Sequence, residues 1–311
     1  MQIDQRSPPT QSRDGRPNRT AETENFPVAS LLMARDLRPA VMAYYDVARA
    51  ADDIADDAHL PAAEKLRLLD RIDAALTANA DDRAEDLSRA GDGWTRSALA
   101  TAIRASQALS AHSVPVEHAT RLLVAFRRDA VQPRTTDWSD LMDYCANSAA
   151  PVGRFLLDLH GEDPDHRPAS DALCSALQVL NHLQDCGDDY RSLDRIYLPT
   201  DWLAEEGVPD SDLAAPRSSA GLRRVLDRCL GEVAALLTRA RPLPGRLRSV
   251  RLALETAVIL ALADTLAGRL AASDPLAGRV QVPKPAMLGH AALAVSKCLW
   301  QRAFLSRSGL A

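Results

Sequence analysis

The sequence predicts an all-α protein on the basis of three observations. Almost every segment repeats its apolar residues at the helical period, and no run alternates between apolar and polar residues over the length of a strand. Hydrophobic residues make up 46% of the chain but aromatic residues only 4%, so the core is expected to be aliphatic. Neither a linker nor an internal repeat divides the 311 residues, which favours a single domain.

Prolines mark the start of several predicted helices. Pro39 suits the first turn of a helix that runs to about residue 57, and Pro61 opens the next one, through residue 76. Later helices are predicted over 94–112, 115–131, 138–160, 169–190, 220–239, 244–272 and 285–305. Pro151 is expected to kink the helix in which it lies. The one long connection, 199–219, collects Asp, Pro, Ser and Gly around a short helix.

Composition excludes several classes of function. The chain has 37 basic and 42 acidic residues without a basic, aromatic-rich segment, so nucleic acid is not an expected partner. Five widely spaced cysteines without zinc-ligand spacing indicate a reducing cytoplasm and no structural zinc. The longest apolar stretch, 252–270, contains three charged residues and predicts a buried helix rather than a transmembrane span. Residues 1–23 are polar and are predicted to be a disordered tail before a helical domain over 24–311.

Two aspartate motifs carry the chemistry of this sequence. Asp52 and Asp56 lie four residues apart, and so do Asp185 and Asp189. Side chains at this spacing are neighbours on one face of a helix, and a pair of like charges there is destabilising unless a cation lies between them. Motifs for binding dinucleotides or for serine or zinc hydrolysis are absent from the sequence. We therefore interpret the two acid pairs as metal ligands.

Each aspartate motif stands where the helical pattern expects core residues. Val41, Tyr45 and Ala48 form an apolar stripe whose next members are Asp52 and Asp56. The second helix is apolar over most of its girth except for one polar stripe, formed by Gln178, Asn181, Asp185 and Asp189. A helix of this kind is buried, so the stripe is expected to face an internal cavity. The alternative, that the motifs are solvated helix ends, is common for one acid pair but disfavoured for two.

Magnesium is the metal that these donors indicate. It prefers hard oxygen ligands, keeps several waters, and often binds through one or two carboxylates together with substrate phosphate oxygens. The two acid pairs therefore predict a Mg²⁺ site that binds a diphosphate and neutralises its charge as a C–O bond ionises. Arg49 could contact the same diphosphate, although an ion pair with Asp46 or Asp53 is an equally good interpretation. His182 is expected to be packed or solvated rather than catalytic.

Around these motifs the sequence resembles the squalene and phytoene synthase family over nearly all of 24–284. The resemblance is carried by 45–56, by 178–189 and by the run Asp194-Arg195-Ile196-Tyr197-Leu198-Pro199. It implies an isoprenoid-synthase fold, a single helical domain around a central cavity, with Mg²⁺-dependent chemistry on a prenyl diphosphate. The residues that the resemblance places at Mg²⁺ and diphosphate are Asp52, Asp56, Asn181, Asp185 and Asp189, of which the four aspartates are catalytic. Those that it places at the substrate are Asn25, Tyr45, Arg49, Tyr144, Gln178, Gln184, Arg195 and Tyr197.

Finer features are similar to the hopanoid-pathway branch of that family. They are the runs 24–28, 144–154 and 181–186, Gln184 where carotenoid-type members carry Arg, and the absence of a tyrosine after Tyr197. This branch implies that presqualene diphosphate is ionised, that water captures the rearranged carbocation, and that other hopanoid-pathway enzymes are partners. One alternative is the condensation of two farnesyl or geranylgeranyl diphosphates to presqualene diphosphate, squalene, dehydrosqualene or phytoene. The other is a catalytically silent assembly factor, which would have no need for two intact motifs.

Two further expectations concern apolar side chains. The candidates to face a carbocation are Phe26, Tyr144 and Phe155, although each is also explained as a core residue. Because the implied substrate and product are lipidic, the C-terminal stretch with Trp300, Arg302 and Phe304 is a candidate for weak peripheral contact with a membrane. An ordinary packed last helix is the favoured interpretation of that stretch. The protein is expected in the cytoplasm, where part of it could be bound at the periphery of a membrane.

Overall fold

The computed structural model describes residues 34–307, and within this range the chain is built from helices. They are α1 (Arg38–Asp56), α2 (Ala62–Thr77), α3 (Ala80–Ser88), α4 (Gly93–Ala111), α5 (Glu117–Val131), α6 (Trp138–Ser148), α7 (Ala150–Leu159), α8 (Arg167–Leu193), α9 (Thr200–Glu205), α10 (Ala220–Ala240), α11 (Leu243–Arg246), α12 (Val250–Ala272) and α13 (Lys284–Arg307). In the same range, extended pairing is limited to one bridge between Arg134 and Ile196. The all-α prediction is confirmed. The predicted tail, 1–23, lies outside the described residues.

The helix predicted over 138–160 is two helices, α6 and α7. The chain leaves the helical conformation at Ala149, where φ is −123° and ψ is −47°, and Pro151 then occupies the first turn of α7. A proline is well accommodated there because its missing N–H group would have no partner within the helix. The predicted kink is therefore a complete break, located before the proline rather than at it.

Two other helix predictions were wrong. The helix expected over 244–272 is divided into α11 and α12, because Ser249 caps the first turn of α12 and the Glu162 carboxylate accepts the two backbone N–H groups just before it. Helix α3 has no counterpart among the predicted helices, because its nine residues are mostly charged and lack an apolar stripe. Asn79 caps α3 by accepting the N–H group of Asp82.

Helix α8, with 27 residues, forms the centre of one of two aliphatic clusters. It packs against α6, α7, α10 and α12. The second cluster joins α1, α2, α4 and α5. Helix α7 contributes to both, since Leu157 lies in the first cluster while Phe155 and Leu159 lie in the second. The two helices that carry the aspartate motifs therefore belong to different clusters, and α7 connects them.

Helix α13 ends the described part of the chain and packs along α12. The guanidinium of Arg302 donates to the backbone carbonyl of Leu247 at 2.7 Å and to that of Pro244 at 3.3 Å, which fixes α13 to α11. Cys298 is buried on the inner side of α13, and all five cysteines of the chain are free thiols. Between residues 34 and 307, no helix combines the length and the apolar character that crossing a membrane requires.

Candidate active site

An apolar cavity of about 270 Å³ lies between α1, α7, α8, α11 and α12. Val41, Tyr45 and Ala48 of α1 line it, as the apolar stripe predicts. The other walls are mostly aliphatic and include Leu173, Leu177, Leu247, Leu252 and Ile259. The rings of Tyr44 and Phe155 stack at 4.1 Å between centroids and fix α1 against α7. Such a cavity suits a long hydrocarbon chain and excludes water from it.

The carboxylates of the first motif follow this apolar wall at the end of α1, and each is in contact with a guanidinium. Arg49 donates to Asp52 at 2.8 Å and to Asp53 at 2.6 Å, so of the two ion pairs considered for Arg49 the one with Asp53 is formed. Arg195, 139 residues further along the chain, donates to Asp56 at 2.5 Å. Burial, followed by the nearby Asp56 carboxylate, nevertheless raises the pKa of Asp52 to about 8. The carboxylates of the first motif therefore repel one another, which favours the protonated form of Asp52 until a cation binds.

The second motif lies along the middle of α8. Burial raises the pKa of Asp189; the His182 imidazole lowers it, and the carboxylates of Asp185 and Asp56 raise it further. The two motifs are near one another although their helices belong to different clusters, because Arg195 donates to Asp56 while the nearby Tyr197 stacks on His182 of α8. Gln178 on the same polar stripe has its Nε2 at 3.1 Å from Nε2 of His182. The predicted polar stripe therefore faces the first motif.

The chain turns sharply after α8 and returns toward the site. Asp194 ends the helix in the left-handed conformation, with φ 51° and ψ 37°. The next residues pair with the segment before α6, where Ile196 donates its N–H group to the carbonyl of Pro133 at 2.8 Å and accepts that of Thr135 at 3.0 Å. Extended backbone places alternate side chains on opposite faces, so Arg195 and Tyr197 share one face of this segment. Both reach the carboxylates.

Asp129 on α5 is a site residue that the sequence interpretation missed. Its carboxylate accepts the hydroxyl groups of Tyr144 at 2.8 Å and Tyr197 at 2.9 Å. Burial raises the pKa of Asp129, against the lowering effect of Arg195 and of both tyrosine hydrogen bonds. Burial together with Asp129 also raises the pKa of both tyrosines, which therefore remain hydrogen-bond donors. The signal for Asp129 was present in the sequence, since it follows Ala125 at helical spacing on the buried face of α5.

Three aromatic rings pack together beside Asp129. The His182 ring stacks on Tyr197 at 3.8 Å between centroids, and the Tyr144 ring lies 5.7 Å from His182 and 5.2 Å from Tyr197. His182 is 8% exposed, so it is packed, which is one of the two conditions expected for it. Phe155 lines the cavity but is only 1% exposed and is stacked on Tyr44, so it serves the core as well. Phe26 lies outside the described residues.

Comparisons with known proteins find relatives in both sequence and structure. The sequence profile of the family described as Squalene/phytoene synthase matches residues 20–286. The hydroxysqualene synthase of Rhodopseudomonas palustris is 40% identical over 83% of this chain and 82% of its own length. That of Sinorhizobium fredii is 38% identical over 90% of this chain and 91% of its own length. The crystal structure of a squalene synthase from Alicyclobacillus acidocaldarius superposes with a TM-score of 0.61 at 30% identity, covering 78% of this chain and 85% of that one.

The chain belongs to the squalene/phytoene synthase family. Its fold is that of the isoprenoid synthases, and it is an enzyme that acts on prenyl diphosphates. The first aspartate motif continues the wall of the apolar cavity, because Tyr45 and Ala48 line the cavity and Asp52 follows one turn later on α1. Of the residues predicted to contact substrate, Tyr45 lines this cavity.

Most of the residues expected from the resemblance lie together, but Gln184 does not. It is 6% exposed, and its amide donates to the backbone carbonyl of Val280, so the side chain ties α8 to the segment before α13. The expectation that Gln184 contacts substrate is therefore not supported, because this amide is already bonded away from the carboxylates. Asn25, the other outlying expectation, lies outside the described residues. Asn181 is half-buried on the polar stripe of α8, one turn before Asp185.

The candidate ligands are of the type that magnesium prefers, but they do not form a complete metal site by themselves. All the candidate ligands are oxygen donors, and the carboxylates of both motifs lie close enough to raise the pKa of one another. In the described residues, however, no three His, Cys, Asp or Glu side chains are placed to hold one ion. Mg²⁺ usually keeps several waters and completes its shell with substrate phosphate oxygens, so two separate acid pairs fit it better than they would fit zinc.

Proposed function

We propose that this enzyme is a hydroxysqualene synthase that ionises presqualene diphosphate, lets the carbocation rearrange and captures it with water. The observation that carries the proposal is that half-buried carboxylates continue the wall of an apolar cavity, in a chain that is 38–40% identical to hydroxysqualene synthases over most of its length. Presqualene diphosphate must itself be supplied by an enzyme that joins two prenyl diphosphates head to head. An enzyme of that class is the partner that the proposal requires.

The residues at the carboxylate end would bind the diphosphate and assist its departure. Mg²⁺, which would be held by Asp52, Asp56, Asn181, Asp185 and Asp189, supplies positive charge that stabilises the leaving diphosphate. Arg49 and Arg195 lie against the same carboxylates and present N–H donors of a geometry that suits phosphate oxygens. As the C–O bond breaks, its electron pair leaves with the diphosphate, and the hydrocarbon cation remains beside the apolar wall.

The carbocation would persist only where water is excluded, yet the proposed product requires one water. The cavity wall provides the exclusion, because its lining is almost entirely aliphatic and aromatic. The cavity wall also includes the polar side chains of Ser170, Glu255 and Thr256. A second polar group able to hold a water lies at the carboxylate end, where Asp129, Tyr197, His182 and Gln178 are in contact with one another. A water held there would form the new C–O bond and release one proton, giving an alcohol.

The test is the reaction in ¹⁸O-labelled water. Purified protein with Mg²⁺ and presqualene diphosphate, in the absence of NADPH, is expected to yield hydroxysqualene that carries the label, detected by mass spectrometry. Farnesyl diphosphate offered alone serves as the control substrate. Efficient conversion of farnesyl diphosphate, with presqualene diphosphate left untouched, would assign the enzyme instead to head-to-head condensation. Inactivity on both substrates would favour the assembly-factor alternative.

A further inference from the structure

Helix α13 is apolar on its outer side as well as on its inner side. Its inner side packs on α12 and buries Cys298. On the outer side, Leu288 is 74% exposed, Leu293 53%, Leu299 46% and Trp300 70%. At about 100° per residue these four side chains fall within an arc of roughly 140°, with Ala292 and Ser296 between them and no charge among them. We call this arc the outer face of α13.

Exposed apolar side chains elsewhere in the described residues are smaller and scattered. The large hydrophobic residues that are exposed outside α13 are four valines, Val124, Val131, Val152 and Val250, on three different helices. Single exposed valines are ordinary on a protein surface, whereas three leucines and a tryptophan on one helix face form a patch of the kind that marks an interaction site. A helix that is apolar all round is normally covered on every side.

The charge around this face is one-sided. After Asp274 the sequence contains no Asp or Glu but five Lys and Arg residues, while the first 274 residues hold the other 32 basic residues and all 42 acidic ones. Lys297 is exposed at one edge of the outer face and Lys284 at the other. A surface that covers this face must therefore accept both apolar side chains and positive charge.

We propose that the outer face of α13 docks on an anionic lipid surface. A helix with Leu and Trp on one face and lysines at its edges is suited to lie in the plane of the headgroups, with the apolar side chains inserted and the lysines on the lipid phosphates. A second copy of the chain is a poorer occupant, because a two-fold interface would bring two segments of like positive charge together. The docking is independent of the reaction proposed for the enzyme, so it can be measured without substrate.

Flotation of the full-length protein with lipid vesicles tests the proposal. Vesicles of phosphatidylcholine alone are compared with vesicles that contain equal amounts of phosphatidylcholine and phosphatidylglycerol, at low and at high salt. Wild type is expected to float with the anionic vesicles at low salt and to be released as salt screens the lysines. Failure to float with either kind of vesicle would overturn the proposal.

Two variants and a matched control identify the face. Leu288→Gln combined with Leu293→Gln is expected to reduce vesicle binding by at least about tenfold, and Lys297→Glu by roughly tenfold on anionic vesicles only. Val124→Gln combined with Val250→Gln removes two exposed apolar residues elsewhere, 50% and 46% exposed, and is expected to bind as wild type does. Equal binding by the leucine and valine double variants would sink the assignment. So would a wild-type dimer that the leucine double variant converts to a monomer, which would make the face a self-interface.

Discussion

The two aspartate motifs have the same spacing but different electrostatic surroundings. In the first motif, guanidinium groups already contact the carboxylates, Arg49 on Asp52 and Arg195 on Asp56. In the second, Asp189 faces the His182 imidazole with 3.9 Å between Oδ2 and Nδ1, which is beyond hydrogen-bond distance. The first motif therefore combines carboxylates with N–H donors, whereas the stripe on α8 offers carboxylate and amide groups. Equal spacing in sequence therefore does not mean an equal role. We expect the arginines beside the first motif to contact diphosphate directly, and its carboxylates to contact diphosphate through a metal.

The largest effect is expected when either motif loses a carboxylate. Asp52→Asn and Asp185→Asn should each lower turnover by about 10²–10³-fold, because the charge that develops on the diphosphate loses its counterion. Turnover and helical circular dichroism are measured together, since neither change removes a packing group. Asp188→Asn is the matched control on α8, because the Asp188 side chain is 77% exposed and pairs with Arg191. Near-normal turnover in either motif variant would argue against the metal site.

The next effect tests the raised pKa of Asp52 in the first motif. The pKa of Asp52 in the folded protein, about 8, lies above its ordinary value of 3.8, so the folded protein holds a proton that the unfolded chain releases. The proton on Asp52 contributes to the free energy of unfolding fully below about pH 4, and this contribution is lost as the pH rises toward 8. Mg²⁺ with inorganic diphosphate binds the ionised carboxylate, so it should stabilise the protein more near pH 8 than near pH 6. At pH 8, a ligand concentration of 100 times its Kd should stabilise the folded protein by about 2.7 kcal/mol.

Thermal melts at the two pH values, with and without Mg²⁺ and diphosphate, measure this difference. Asp52→Asn carries no titrating group at this position and is expected to flatten the pH dependence of the metal-free melting temperature. The same shift at both pH values in wild type would contradict the assignment of the raised pKa to Asp52.

A smaller effect on turnover is expected at Asp129, which lies beside the two motifs but belongs to neither. Asp129→Asn keeps the shape of the side chain but weakens its hold on Tyr144 and Tyr197, so kcat should fall roughly tenfold with little change in KM. Tyr197→Phe removes one of the same hydrogen bonds, and the double variant should lose less than the two single losses combined. Fully additive losses would show that Asp129 acts independently of Tyr197.

The smallest effect on catalysis is expected at Gln184. Gln184→Leu removes the hydrogen bond to the carbonyl of Val280 and should cost about 1–2 kcal/mol in the free energy of unfolding while leaving turnover within about twofold. Denaturant unfolding and steady-state kinetics check the two halves of this expectation. Loss of turnover without loss of stability would restore Gln184 to the substrate-binding residues that the sequence predicts.

Local patterns explain most of what the sequence predicts correctly. The aspartates of α1 and α8 are recognised because they replace apolar residues at helical spacing, and this pattern is contained within each helix. The contact between Arg195 and Asp56 joins residues 139 positions apart, so no local pattern contains it. The role of Gln184 at the substrate stays a prediction: resemblance gives a position along the helix, whereas the side chain points about 100° away from that of Asp185 and donates to Val280. The break at Ala149 escaped because the apolar pattern continues across it.

The left-handed turn at Asp194 links an outer ion-pair cluster to the active site. Such a conformation costs a residue other than glycine about 1 kcal/mol, and here Arg134 compensates by binding both the carbonyl and the carboxylate of Asp194, while it also pairs with Asp210. The residue after the turn is Arg195, whose direction depends on it. We expect position 134 to tolerate less variation than its partly exposed side chain would indicate, and a substitution scan scored by turnover would show it. Selection for catalysis would then extend to an arginine that never meets the substrate.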